Sequence, residues 1–266
     1  MSIPRVLIST TSHKRAPLAP TLETFARLGM RDLDLNLSPI MEGGLTTVQV
    51  EAAIRAANQR VWVVSGGWCD FFDRPPDAER TFTSVSRQAE AARALGVHHL
   101  RLFFGRLERA HYSPAAREVA RVNILRLADA YPDVVLAFEN HDGASLDPAI
   151  CADILHAVNR PTVGMNFDPI NFARAGVDIQ SALATLRPLV CHVHLKGVKG
   201  DHLCEFDEGD VDLKPFLAAL QTGGYPGSFT VEYEGAGDAT SALHRSVGRA
   251  RALLEVSQAG SRNDLP

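Results

Sequence analysis

VVLAFENH, residues 134–141, reads as a strand that ends on a charge. Alternation puts Val135, Ala137 and Glu139 on one face, with Leu136 and Phe138 on the other. Bulky residues suit the helix-covered outside of a barrel and smaller ones its interior, so Glu139 points inward. Three further stretches follow at about one barrel repeat each. TVGMNFDP (162–169) aligns Gly164, Asn166 and Asp168 against Met165 and Phe167, and VCHVHLKG (190–197) aligns His192, His194 and Lys196 against Val193 and Leu195. In SFTVEYEG (228–235) Glu232 and Glu234 share a face, Glu232 deeper in the strand, and alternation alone does not choose between them.

Working outward, four earlier stretches have the same strand character: RVLISTT (5–11), DLDLNLS (32–38), RVWVVSGG (60–67) and HHLRLFFGR (98–106). Amphipathic segments begin near Leu18, Thr46, Asp77, Ser113, Asp147, Asp178, Asp212 and Asp238. Several open on Ser, Thr or Asp, whose oxygens accept the first free N–H groups of a helix. Eight strands alternating with eight helices predict an α/β protein, a single (β/α)8 TIM barrel over residues 1–257, with a polar, flexible tail at 258–266. Reactive groups on such a barrel stand at the carboxyl ends of the strands, where Glu139, Asp168, His194 and Glu232 fall.

The 266 residues suit one barrel, and 27 Lys and Arg against 31 Asp and Glu give a net charge of -4 with no long run of either sign. That argues against a nucleic-acid surface, which needs clustered cations. The opening MSIPRVLISTTSHKR has no secretory pattern, and no apolar stretch approaches the roughly 20 residues that span a bilayer. A cytoplasmic protein without a membrane partner is expected, and a homo-oligomer is left open. Cys69, Cys151, Cys191 and Cys204 form no CxxC pair and read as reduced thiols.

Inward charges are costly unless paired or bound to a cation. Three carboxylates and one imidazole converging on strands five to eight would repel one another without one. The oxygen-rich set with a single nitrogen suits one divalent metal ion, Mn2+, Mg2+ or Co2+, and is compatible with Zn2+.

At these residues the chain resembles the xylose-isomerase-like barrel superfamily, which groups sugar isomerases and epimerases, inosose and dehydroshikimate dehydratases, and apurinic endonucleases. ENH at 139–141, FDPIN with Asp168, HVHLK at 192–196 and VEYEG with Glu232 carry the resemblance. It implies Glu139, Asp168, His194 and Glu232 as metal ligands, selects Glu232 over Glu234, and implies Glu139 and Glu232 as acid/base groups. The chain also departs from its relatives. It lacks the extra histidines of the three-zinc endonucleases, has Asn171 where many ketose epimerases have His, carries Lys196 and Lys199 where they have an arginine, and has Gly197 where Asp commonly follows the lysine.

The resemblance implies a divalent-metal-dependent isomerase or epimerase of a sugar, keto-sugar or cyclitol, acting through an enediolate in carbohydrate metabolism. A dehydratase or lyase of a β-hydroxy ketone is the alternative, with Glu205, Asp207 or Glu208 as a loop acid. A non-catalytic sugar-binding barrel is a third reading. The partner expected is a small polyhydroxylated carbonyl compound. Candidate substrate contacts are His192 (or a packed, neutral imidazole), Lys196 (or an ion-pair partner), His141, Asn171, Arg101 (or a buried ion pair) and Trp68. Phe71 and Phe72 either join Trp68 in an apolar wall or fold beneath their own loop, and His13 and His202 lie on the rim.

Overall fold

The alternation is realised as a closed barrel. In a computed structural model describing residues 4–263, the chain runs β1 (Val6–Ser9), α1 (Leu18–Arg27), β2 (Asp32–Asn36), α2 (Ser38–Met41), α3 (Thr47–Ala56), β3 (Arg60–Ser65) and α4 (Asp77–Ala94). It continues through β4 (His99–Phe103), α5 (Pro114–Ala130), β5 (Val135–Glu139), α6 (Pro148–Val158), β6 (Val163–Phe167), α7 (Pro169–Arg174), α8 (Ile179–Leu186) and β7 (Val190–Leu195). The last elements are β8 (Gly197–Lys199), β9 (His202–Cys204), α9 (Lys214–Thr222), β10 (Phe229–Val231) and α10 (Ala239–Asn263). The barrel order is β1-β10-β7-β6-β5-β4-β3-β2, and every pairing in it is parallel. The expected tail at 258–266 falls in part on residues outside this description.

Parity divides the strands as alternation requires. Leu136, Phe138, Met165, Phe167, Val193 and Leu195 are buried in the hydrophobic layer beneath the helices. The opposite set fills the barrel and is polar toward its carboxyl end. Helix starts follow side-chain chemistry: Thr46 and Gln49 form a capping box, Ser113 accepts from Ala116 N at 3.2 Å, Asp147 from Ala149 N at 2.9 Å and Asp178 from Ser181 N at 2.8 Å. Asp212 accepts from Lys214 N at 3.0 Å, just ahead of α9.

Three elements were not anticipated. The short α2 and α7 follow β2 and β6 directly, and the antiparallel β8–β9 hairpin follows the carboxyl end of β7. A Cβ on Gly197 would lie 2.1 Å from Glu205 O and 2.9 Å from Cys204 Sγ. The Asp of the family pattern therefore has no room here while the hairpin holds this position. Among the described residues, no helix is long and apolar enough to cross a membrane.

Candidate metal centre

β5, β6, β7 and β10 end at one level of the barrel, which brings their last inward side chains together. Glu139, Asp168, His194 and Glu232 are all buried, and one ligand atom from each lies within 4.8 Å of the others. Atoms held about 2.1–2.6 Å from a single divalent ion stand up to about 4.2–5.2 Å apart, so the four lie within reach of one ion. His194 Nδ1 is 3.3 Å from Glu232 Oε2 and 3.6 Å from Glu139 Oε1.

Each ligand candidate is set by its neighbours. Asp168 caps α7, its Oδ1 accepting from Ile170 N at 2.9 Å and Asn171 N at 3.0 Å, which leaves Oδ2 for the cage. Asn171 donates to Glu139 Oε1 at 3.3 Å and to Asn140 O at 2.9 Å, so it supports a ligand. Ser9, from β1, donates to Glu232 Oε1 at 3.3 Å. Glu234 lies nearer the surface and accepts from Lys196 Nζ at 3.1 Å.

Charge balance and orphaned atoms test the fit of a cation. Asp34, Glu139, Asp168 and Glu232 are four buried carboxylates, faced within the barrel by two buried cations, Arg101 and Lys196. One divalent ion closes that difference with His194 neutral. Both ring nitrogens of His194 are buried without a hydrogen-bond partner, as atoms that face an ion or a carboxylate at longer range would be, whereas Asp168 Oδ2 meets the Lys196 ammonium at 2.9 Å. Burial pushes Glu139 up, but His194 and Arg101 override it and bring the carboxyl down to about 2. Glu232 is likewise held well below the usual range by His194 and Lys196 against its burial. Burial works against a charge on His194, yet Glu232 and Glu139 hold its pKa well above the usual imidazole range. The potential that would hold a proton there would hold a divalent cation instead.

The remaining candidates divide by position. Lys196 sits 2.9 Å from Asp168 Oδ2 and 3.9 Å from Glu232 Oε2, inside the site as an ion-pair partner. Arg101 Nε lies 3.4 Å from Glu139 Oε2 and donates to Ser65 Oγ at 3.3 Å, while its Nη1 is buried without a hydrogen-bond partner. Trp68, partly exposed, stacks on Phe103 with Arg106 above it, and His141 meets Phe103 edge-on at 4.7 Å. Phe71 is instead buried against Phe138, so the loop contributes Trp68 to the mouth and folds Phe71 beneath itself. His192 is fully buried below the cage, with Nε2 2.8 Å from Thr230 Oγ1 and Nδ1 3.2 Å from Ser228 Oγ, the packed and neutral arrangement. Burial keeps its pKa well below the usual value.

His13 pairs with Thr240 at 3.0 Å, and His202 is exposed on β9. Of the loop acids, Glu205 is tied to Arg245 and Arg249 and Glu208 to Arg249, while Asp207 occupies a left-handed turn at φ 63°.

Two participants escaped the sequence reading. Asp34, on β2, is wholly buried beside His194, and Asn140 bridges the ends of β5 and β6. The alternation DLDLN carried the signal for Asp34, since Leu33 and Leu35 face outward and Asp34 must face in.

The family model for xylose isomerase-like TIM barrels matches residues 26–255, and the chain belongs to that family. Among curated proteins, a 3-dehydroshikimate dehydratase of Bacillus anthracis is 24% identical over 139 residues, 51% of this chain and 50% of the relative, so the match spans half of that relative's length. Among solved structures, a D-tagatose 3-epimerase-like protein superposes with TM-score 0.81 at 14% identity, covering 97% of this chain and 99% of the other. A xylose isomerase-like barrel from Mycobacterium smegmatis, in complex with magnesium, superposes with TM-score 0.77 at 16% identity over 96% and 98% of the two chains. At these identities the structural likeness shows the fold alone.

Proposed function

We propose that the protein is a divalent-metal-dependent enzyme that enolises a small polyhydroxylated carbonyl substrate, with an isomerase or epimerase outcome. The observation that carries this is the placement of Glu139 and Glu232. Both are buried and held ionised, and they approach His194 Nδ1 from different strands.

Glu139, Asp168, His194 and Glu232 would hold the ion, which when bound supplies Lewis acidity to a chelated carbonyl and its neighbouring hydroxyl. Mn2+, Mg2+ and Co2+ suit the donor set, and the magnesium complex of the Mycobacterium smegmatis relative is in keeping with that choice. One glutamate takes the proton from the carbon beside the carbonyl, and the other stands where it can return a proton at the neighbouring carbon or on the opposite face. Lys196 faces the developing oxyanion, Asn171 keeps Glu139 aimed, and Trp68 with Phe103 forms an apolar wall. His141 borders this mouth and supplies a polar contact for a substrate hydroxyl.

Arg101 favours a second reading. A buried guanidinium with an unpartnered Nη1 beside the cage fits an acidic substrate, and the partial match to a 3-dehydroshikimate dehydratase is to an enzyme of such a compound. In that case the enolate expels a β-hydroxyl as water. One experiment separates the outcomes: purified protein with its metal content measured is incubated in D2O with keto-sugars, inosose and dehydroshikimate. Deuterium appearing in an intact sugar supports the isomerase or epimerase, loss of water supports the dehydratase, and absence of any divalent ion overturns the metal centre.

A further inference from the structure

We propose that Asp34 is a positioning residue for the metal centre: it holds His194 as an Nδ1 ligand by accepting the proton on Nε2, and Ser65 holds Asp34 for that task. The inference rests on the reading of His194 as a metal ligand.

The two nitrogens of His194 face different environments. Nδ1 looks into the cage, toward Glu139 and Glu232, while Nε2 lies 3.4 Å from Asp34 Oδ2. A neutral imidazole carries one N–H and one lone pair, and the partner at one nitrogen decides which nitrogen keeps the lone pair. A carboxylate cannot donate when ionised, so Asp34 requires the proton on Nε2 and leaves the Nδ1 lone pair for the ion. It also raises the basicity of the ring, as carboxylates behind metal-bound histidines do.

Asp34 has no competing use for that oxygen. Its Oδ1 accepts from Ser65 Oγ at 2.7 Å, and its Oδ2 is buried without a hydrogen-bond partner. The other nearby imidazole, His192, is 3.9 Å away at Nε2, and both of its nitrogens are already engaged with Thr230 and Ser228. The same engagement argues against a second ion between Asp34, His192 and His194, although their ligand atoms also cluster. Ser65 in turn accepts from Arg101 Nε, and Arg101 reaches Glu139 Oε2. A chain from His194 through Asp34, Ser65 and Arg101 to Glu139 therefore passes beneath the cage and sets two of its four ligands.

Asp34→Asn separates this role from packing because it keeps shape and removes charge. If Ser65 keeps its bond to the side-chain oxygen, the amide NH2 faces Nε2 and demands the opposite tautomer; if the amide turns over, the geometry survives without the negative charge. Either arrangement weakens ligation. The test titrates chelator-stripped wild type, Asp34→Asn, Ser65→Ala and His194→Ala with Co2+ by calorimetry and visible absorption. Nitrogen-15 spectra of the histidines in the Zn2+-loaded forms are recorded alongside.

Asp34→Asn is expected to bind Co2+ about 10- to 100-fold more weakly, the range for residues behind a metal ligand, and Ser65→Ala less markedly. The wild type should show the proton on His194 Nε2. Wild-type affinity in Asp34→Asn, with binding lost in His194→Ala, would overturn the role of Asp34 and leave the metal centre standing. Wild-type affinity in His194→Ala would remove the ligand on which the role depends. No Co2+ binding by wild type would remove the metal centre itself. Should Asp34→Asn fail to fold, Ser65→Ala decides, since unchanged affinity and an unchanged histidine spectrum would contradict the proposal.

Discussion

Asn140 and Asp168 clasp one another by a reciprocal pair of hydrogen bonds: Asn140 Nδ2 donates to Asp168 O at 2.8 Å, and Asp168 N donates to Asn140 Oδ1 at 2.9 Å. The side-chain amide acts as an extra peptide group, extending the β5–β6 ladder one step past its last backbone pair. Both residues are fully buried. Asn140→Ala would leave the buried Asp168 N–H unpaired and its C=O with only the long bond from Phe172 N at 3.5 Å, a loss of about 1–3 kcal/mol. Denaturant unfolding should show that decrease, with weaker divalent-ion binding in the fraction that stays folded. Wild-type stability would mean that water or a backbone shift replaces the clasp.

Glu139→Gln and Glu232→Gln test the assignment of acid and base. Each amide keeps the shape but can neither take nor return a proton, so turnover should fall by about 100- to 10,000-fold. Circular dichroism should still report a folded barrel. Solvent deuterium exchange into substrate should be lost with the base, and wild-type exchange in both variants would reject the pair.

Gly197 sets the position of the β8–β9 hairpin next to Lys196. Because an added Cβ would meet Glu205 O at 2.1 Å, Gly197→Ala and Gly197→Asp cannot be absorbed by a rotamer change. Overpacking of this kind costs about 1–3 kcal/mol. Thermal unfolding should register the loss, and proteolysis should cut the 198–204 segment sooner than in wild type. Equal stability and equal cleavage rates would show that the hairpin yields freely.

The strands and the inward set on β5, β6, β7 and β10 were legible because period-2 alternation is a local property, and a charge that breaks an apolar face stands out. The same rule applied to DLDLN would have found Asp34, but an Asp among Leu residues near the start of the chain looks like ordinary surface alternation until His194 is placed across from it. His192 shows the converse. Sequence gave it the same face as His194, but only the barrel's depth shows that it stops at Thr230 and Ser228. Arg101 pairs with Glu139 through the neighbouring strand, a contact fixed by the β4–β5 register that places Phe103 opposite Glu139. The hairpin at 197–204 had no signal, because three-residue strands carry too few residues to show a period.

His99 makes the stability of the barrel depend on pH below neutrality. Partly buried at the start of β4, in edge contact with His192, it is held by burial at about 4, and its Nε2 lacks a partner. An imidazole in the unfolded chain takes a proton near 6.5. The folded value is therefore depressed, and the contribution of His99 to stability is present above about 6.5 and is lost as pH falls toward 4. The slope is up to about 1.4 kcal/mol per pH unit in that window, less the fraction of the ring that water reaches. Urea unfolding at pH 7.5, 6.0 and 5.0 should show the decline, and His99→Gln, which cannot titrate, should flatten it by close to one proton's slope. An unchanged pH profile in His99→Gln would place the acid sensitivity elsewhere in the barrel.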